Sequence, residues 1–248
     1  MTPIPENGTP TPTPAKDQGP YWDWSDAALF LGMAPPTLGV ALLVSKGLKM
    51  LLPAQGSLAV TAIAFQFSWY ALWFTALYWM LRMKYDEPFL AGLGWKTTWP
   101  GMKWTLFLGP MVAVAVILIG AMLHTPEIDN PIQKLLAGRW QTLLVGAFAT
   151  VFGPVAEELG FRGFLLPLML RSFGVAGGVA LCSAGFVALH GPQYSWSWQH
   201  LLLLFLASIA FSLVRVRTGS TAASAMVHAT YNLTFFTGYL IQERDRIF

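Results

Sequence analysis

The sequence is poor in charged residues and nearly devoid of cysteine. Charged side chains make up 11% of the chain, whereas a soluble domain carries roughly 25%. The single cysteine, Cys182, cannot form an internal disulfide or a cysteine-rich metal site, and we predict that it is a small buried hydrophobe. The net charge is +3 without a basic stripe, which argues against a nucleic-acid partner. These features exclude a disordered chain, a coiled coil and an ordinary soluble enzyme.

Hydrophobic residues, in contrast, make up 55% of the chain and fall into long runs. A membrane-spanning helix needs about 20 mostly apolar residues. We therefore predict an all-α fold, namely a polytopic integral membrane bundle of about seven transmembrane helices, within a range of roughly six to eight. The first span contains Pro35-Pro36 and should be kinked or broken. The predicted spans are residues 27–45, 57–81, 104–123, 141–170, 174–190, 199–216 and 219–241.

The chain divides into four parts by composition. Residues 1–20 hold six prolines and almost no apolar side chains, so we predict a disordered Pro/Thr-rich tail. Residues 21–139 are expected to form the N-terminal transmembrane helices and their interfacial connections. Residues 140–240 form a helical domain that carries the polar motifs, and residues 241–248 form a short polar tail.

The first polar motif consists of Glu157, Glu158 and Arg162. A polar side chain inside an apolar span is costly unless it has a partner, which makes it a candidate for function. At about 100° per residue, Arg162 lies about 40° from Glu158 but about 140° from Glu157. We therefore predict that Glu158 and Arg162 are partners. Glu157 is then left without a local counter-charge, which is typical of a general base. The alternative is a structural clamp between helices.

Two further motifs follow in later spans. His190 ends an apolar run before Gly191-Pro192, where it could assist a base or cap a helix C-terminus. His228 and Asn232 share one helix face at i,i+4 spacing. Both are hydrogen-bond donors of the kind that stabilise an oxyanion, or they could join two helices by hydrogen bonds. Together with Glu157, these groups suit the attack of water on an amide.

A zinc site is the alternative chemistry for the same residues. Glu157, His190 and His228 would supply one carboxylate and two histidines. The helical His-Glu-x-x-His motif is absent, however. We predict that the protein needs no cofactor, with zinc as the open alternative.

The three motifs resemble the CPBP family, the CAAX-protease and bacteriocin-processing (Abi) family of intramembrane endopeptidases. The family pattern is Glu-Glu-x-x-x-Arg, then Phe-x-x-x-His, then His-x-x-x-Asn. The flanking segments are also similar, so the resemblance covers roughly residues 140–240. In this sequence the pattern is present in order as Glu157-Glu158…Arg162, Phe186…His190 and His228…Asn232.

The resemblance implies an intramembrane glutamic endopeptidase with a CPBP-type catalytic helical domain. Its expected partners are the lipid bilayer and a membrane protein or peptide substrate. The implied site residues are Glu157 as the base that activates water, His190 as its assistant, His228 and Asn232 as the oxyanion hole, and Glu158 with Arg162 as the pair that shapes the site.

The resemblance leaves the substrate and the cellular role open. Some family members trim prenylated CaaX peptides, and bacterial members are linked to bacteriocin maturation or immunity. This short chain is similar to bacterial members, so we expect a multi-pass protein of the bacterial cell membrane. The alternatives to a protease are a non-catalytic membrane scaffold or bacteriocin-immunity factor, and a proton-coupled transporter that uses the buried Glu and His groups.

Overall fold

The computed structural model describes residues 20–51, 57–99 and 101–247, and every regular element within these residues is helical. The predicted tail, apart from Pro20, lies outside the described residues. The fold class is therefore all-α, as predicted. The α-helices are α1 (Trp24–Gly32), α2 (Ala34–Leu51), α3 (Ser57–Lys84), α4 (Phe89–Gly92), α5 (Met102–Met122), α6 (Arg139–Ala147), α7 (Gly153–Glu158), α8 (Leu166–His190), α9 (Trp198–Thr218), α10 (Thr221–Gln242) and α11 (Arg244–Ile247).

Several helical stretches of the described residues are long and apolar enough to cross a bilayer. One of them has 52 residues and covers two predicted spans, 141–170 and 174–190. It bends at Gly174, whose φ of 67° is easy only for glycine. The helix α10 covers most of the predicted span 219–241 and carries His228 and Asn232, but it is not among the stretches of the described residues that are apolar enough to cross a bilayer. The chain is a polytopic helical membrane protein with these apolar stretches: Trp24–Leu51, Leu58–Lys84, Met102–Met122, Arg139–His190 and Trp198–Thr218.

The first predicted span is interrupted near its two prolines. The helix α1 ends at Gly32, and α2 begins at Ala34. Pro35 and Pro36 therefore lie in the first turn of α2, where a backbone N–H would have no partner within the helix. The prolines thus begin a new helix rather than kink an existing one.

The helix α7 is flanked by two π-helical segments, Phe148–Phe152 and Leu159–Leu165. A π-helical turn holds one more residue than an α-helical turn, and such turns are frequent at functional sites. The expected span 141–170 is therefore helical throughout but not a regular α-helix. The short α7 carries both Glu157 and Glu158, so the two carboxylates lie between these irregular turns.

The helix α10 packs against α5, α7, α9 and the first π-helical segment. Its buried Val227 forms an apolar cluster with Ala113 of α5 and Phe211 of α9. A second apolar cluster joins Phe30 of α1 and Leu77 of α3 to residues of the second π-helical segment and of α8. The first cluster fixes the helix that carries His228, and the second brings α3 against the π-helical segment that follows the carboxylates and carries Arg162.

Candidate active site

Glu158 and Arg162 form an ion pair that is completely buried. Nη1 of Arg162 lies 2.8 Å from Oε1 of Glu158, and neither side chain is exposed. Nη2 of Arg162 donates to Ser208 on α9, to its carbonyl oxygen at 3.0 Å and to its hydroxyl at 2.6 Å. Nε donates to the Ser212 hydroxyl at 3.3 Å. The i,i+4 spacing predicted the partnership. Two serines on α9 accept three further hydrogen bonds from the guanidinium, which needs such partners when it is buried.

Glu158 uses both carboxylate oxygens. Oε1 also lies 3.0 Å from Nδ1 of His228, and Oε2 accepts a hydrogen bond from the Ser224 hydroxyl. Both His228 and Ser224 belong to α10. Glu158 therefore joins α10 to the helix that carries Arg162, and it fixes the orientation of the His228 ring.

Glu157 has a different environment from its neighbour. Its side chain is 21% exposed. Oε1 accepts a hydrogen bond from the Tyr70 hydroxyl at 3.1 Å. Oε2 lies 3.9 Å from Nε2 of His228, which is longer than a hydrogen bond. Glu157 thus keeps an oxygen that can accept a proton, whereas both oxygens of Glu158 are engaged.

Two tyrosines near Glu157 have no place in the predicted set of site residues. Tyr70 lies on α3, which is rich in aromatic residues. The sequence alone therefore does not distinguish Tyr70 from the aromatic residues that only pack. Tyr194 lies in the short 3-10 turn after α8. Burial and the nearby Glu157 carboxylate raise the pKa of Tyr194, which keeps its hydroxyl protonated.

His190 joins the site through Phe186. Nδ1 of His190 lies 2.8 Å from the Phe186 carbonyl oxygen, and the two rings are in contact. Because a carbonyl only accepts, Nδ1 carries the hydrogen, and the neutral ring then has its free lone pair on Nε2. The buried Phe186 ring also contacts the His228 ring and lies 4.8 Å from the Arg162 guanidinium carbon. Phe186 therefore connects the second motif to the other two.

His228 and Asn232 project from α10 towards the helix that holds the carboxylates. The His228 ring is stacked on Phe211, and its Nδ1 faces Glu158. Nδ2 of Asn232 donates to the Ala149 carbonyl oxygen at 2.8 Å, in the first π-helical segment. His228 and Asn232 therefore lie on the same face of α10, as the i,i+4 spacing predicts. The Asn232 amide nitrogen has a second hydrogen that this contact does not use.

The alternative zinc site would use the Glu157, His190 and His228 side chains. Across residues 20–51, 57–99 and 101–247, no three His, Cys, Asp or Glu side chains are grouped so that they could hold a metal ion. Glu157 and His228 approach each other, and the contact of His190 Nδ1 with the Phe186 carbonyl oxygen leaves Nε2 of His190 free. The expectation that no cofactor is needed stays a prediction.

Cys182 is fully buried on α8, as predicted. Its sulfur contacts the Phe161 carbonyl oxygen and packs in an apolar cluster with Leu166 and Val179. It therefore serves as a core residue.

This arrangement is that of a polytopic membrane protein with charged and hydrogen-bonding groups gathered inside its helical bundle. Residues 139–234 match a protein-family model described as type II CAAX prenyl endopeptidase, Rce1-like. The match contains all three motifs and confirms the resemblance of this region to the CPBP family. It supports a CAAX-type intramembrane protease at the level of the family. No curated protein and no solved structure matches the chain significantly.

Proposed function

We propose that this protein is an intramembrane endopeptidase that hydrolyses peptide bonds in membrane-associated proteins or peptides. The observation that carries this proposal is the difference between two adjacent carboxylates. Glu158 is buried and engaged by Arg162, Ser224 and His228. Glu157 is partly exposed and keeps Oε2 for another partner. A positioned carboxylate with a free oxygen is what a general base requires.

In the proposed reaction, a water molecule is held between Oε2 of Glu157 and Nε2 of His190. Glu157 takes one proton from the water as the water oxygen attacks the scissile carbonyl carbon. A tetrahedral intermediate with a negative oxygen forms. Its collapse breaks the C–N bond, and the proton on Glu157 passes to the leaving amine. Base catalysis of this kind contributes a factor of about 10² to 10⁴ in rate.

The negative oxygen of the intermediate is assigned to His228 and Asn232. Nδ1–H of His228 already donates to Glu158, so donation from Nε2 requires a second proton on the ring. The second amide hydrogen of Asn232 supplies the other donor.

The substrate class follows from the position of the site in the chain. The first two motifs lie in an apolar stretch, Arg139–His190, that is long enough to cross a bilayer, and the third lies on α10, which packs against that stretch. We therefore assign polypeptides that reach the site from the membrane as substrates. From the resemblance to the CPBP family, we propose the bacterial cell membrane as the location of the protein. We propose no nucleic-acid partner.

The experiment that tests this function is N-terminal profiling of the membrane proteome. Cells would express the native protein, Glu157→Gln or Glu127→Gln. Glu157→Gln keeps the size of the side chain and removes the base. Glu127→Gln is the matched control, because Glu127 lies exposed in the connection after α5. We expect new protein termini with the native protein and with Glu127→Gln, but not with Glu157→Gln.

Two other outcomes would contradict the proposal. New termini that persist in Glu157→Gln would exclude Glu157 as the base. Native and variant cells with the same termini, at equal protein abundance, would contradict a protease. That result would favour a membrane scaffold or an immunity factor, whose phenotype should survive Glu157→Gln.

A further inference from the structure

Tyr70 connects the N-terminal part of the chain to the proposed base. Its hydroxyl donates to Oε1 of Glu157 at 3.1 Å, across 87 positions of sequence. Tyr70 lies on α3, whereas the matched family region begins at residue 139. The site therefore contains a side chain from outside that region.

The Tyr70 ring is held by stacked aromatic neighbours. It stacks on Trp69 with ring centroids 6.1 Å apart, and on Phe148 at 6.3 Å. Trp69 in turn stacks on Trp73 at 5.3 Å, and Trp73 stacks on Phe30 of α1 at 4.4 Å. Such stacking limits the positions that the ring can adopt. The hydroxyl is therefore presented to Glu157 by a row of rings that crosses from α1 through α3 to the first π-helical segment.

The hydrogen bond from Tyr70 makes the two oxygens of Glu157 unequal. Oε1 accepts from the phenol, and Oε2 lies near Nε2 of His228. A glutamate side chain has three rotatable bonds, so a free carboxylate would spread over many positions. A donor on Oε1 restricts the carboxylate to one orientation, in which Oε2 points towards His228.

We propose that Tyr70 is a positioning residue for Glu157, which holds Oε1 so that Oε2 receives the proton of the attacking water. This inference rests on the proposed protease function. Tyr70 touches the base and not the substrate, so its loss lowers kcat and leaves KM unchanged. Hydrogen bonds to charged groups contribute enough to predict a fall of about 10-fold to 100-fold in kcat.

The test uses the full-length protein reconstituted in lipid nanodiscs. The probe is a fluorogenic peptide that spans a cleavage site found by the terminal profiling described above. Tyr70→Phe removes one oxygen and keeps the stacked ring. Tyr78→Phe is the matched control, because it makes the same change two turns further along α3 at an exposed tyrosine. Thermal unfolding is measured for each protein.

We expect Tyr70→Phe to show the lower kcat with native KM and a native melting temperature, and Tyr78→Phe to match the native protein in all three. A native kcat in Tyr70→Phe would overturn the inference while the protease function stands. A raised KM, or a loss of kcat together with a lower melting temperature, would show a structural role instead. Absence of cleavage by the native protein would overturn the proposed function and the role of Tyr70 with it.

Discussion

Nδ1 of His228 and Oε1 of Glu158 lie 3.0 Å apart, although the two residues are 70 positions apart in the chain. The same oxygen accepts from Arg162. The Glu158 carboxylate therefore pairs with the buried Arg162 guanidinium and also orients the His228 ring, which belongs to the proposed oxyanion hole. Changes at Glu158 or Arg162 should affect stability and activity together, whereas changes at Glu157 should affect activity alone.

Arg162→Ala should lower the melting temperature in detergent and abolish cleavage. The variant leaves the buried Glu158 without its counter-charge and frees the serine partners on α9. Removing one partner of a buried ion pair typically costs about 3–5 kcal/mol. Thermal unfolding of the purified protein, followed by a cleavage assay at a temperature where the variant is folded, measures both effects.

Arg82→Ala is the matched control for this prediction. Arg82 pairs with Asp86 at the same i,i+4 spacing and the same 2.8 Å distance, but the two side chains are 48% and 96% exposed. An exposed pair contributes about 0–1 kcal/mol, so this variant should unfold close to the native temperature. If Arg162→Ala also unfolded at the native temperature, the buried pair would not be a clamp.

Much of the fold could be predicted because the thickness of a bilayer sets the length of apolar runs. The predicted span 104–123 differs by only one or two residues at each end from α5. The two π-helical segments could not be predicted. They depend on local backbone hydrogen bonds that hydrophobic periodicity does not report, and both fall within the predicted span 141–170.

The site was predictable only where its contacts are local. Helix geometry places Arg162 beside Glu158 and puts Asn232 on the face of His228, whatever the rest of the chain does. The contact between Tyr70 and Glu157 depends instead on how α3 packs against a helix far along the chain. One sequence carries no signal for such packing.

His190→Asn should preserve folding and lower kcat. The asparagine amide can donate to the Phe186 carbonyl oxygen in place of Nδ1, but it has no counterpart of Nε2, which would orient the attacking water. Loss of such a group lowers the rate by about 10²-fold to 10⁴-fold. Cleavage kinetics and the melting temperature of the reconstituted protein test this expectation.

His124→Asn provides the comparison for His190→Asn. His124 is exposed in the connection after α5 and has a positive φ of 49°, which asparagine tolerates. This variant should keep native kinetics. A native kcat in His190→Asn would mean that His190 only ends its helix and takes no part in the reaction.

Gly109 is a buried position on α5 that lies close to the backbone of α10. A Cβ atom at this position would lie 2.5 Å from the Val227 carbonyl oxygen and 2.6 Å from the Tyr231 backbone nitrogen. Single backbone atoms of α10 cannot move away without moving the whole helix, so α5 and α10 would have to separate. Small residues at helix contacts allow such close packing in membrane proteins. His228 lies between these two α10 positions in the sequence, so its place depends on Gly109.

Gly109→Ala should therefore lower both the melting temperature and kcat, although Gly109 touches none of the proposed catalytic groups. Overpacking of this kind costs about 1–3 kcal/mol, and the shift of α10 should draw His228 away from Glu158. Gly39→Ala is the matched control, because the added Cβ on α2 would meet nothing within 4 Å and alanine favours the helix. The melting temperature and kcat of both variants, from thermal unfolding and peptide cleavage, test this prediction. If Gly109→Ala kept the native melting temperature and kcat, the close contact between α5 and α10 would not be what places His228 at the site.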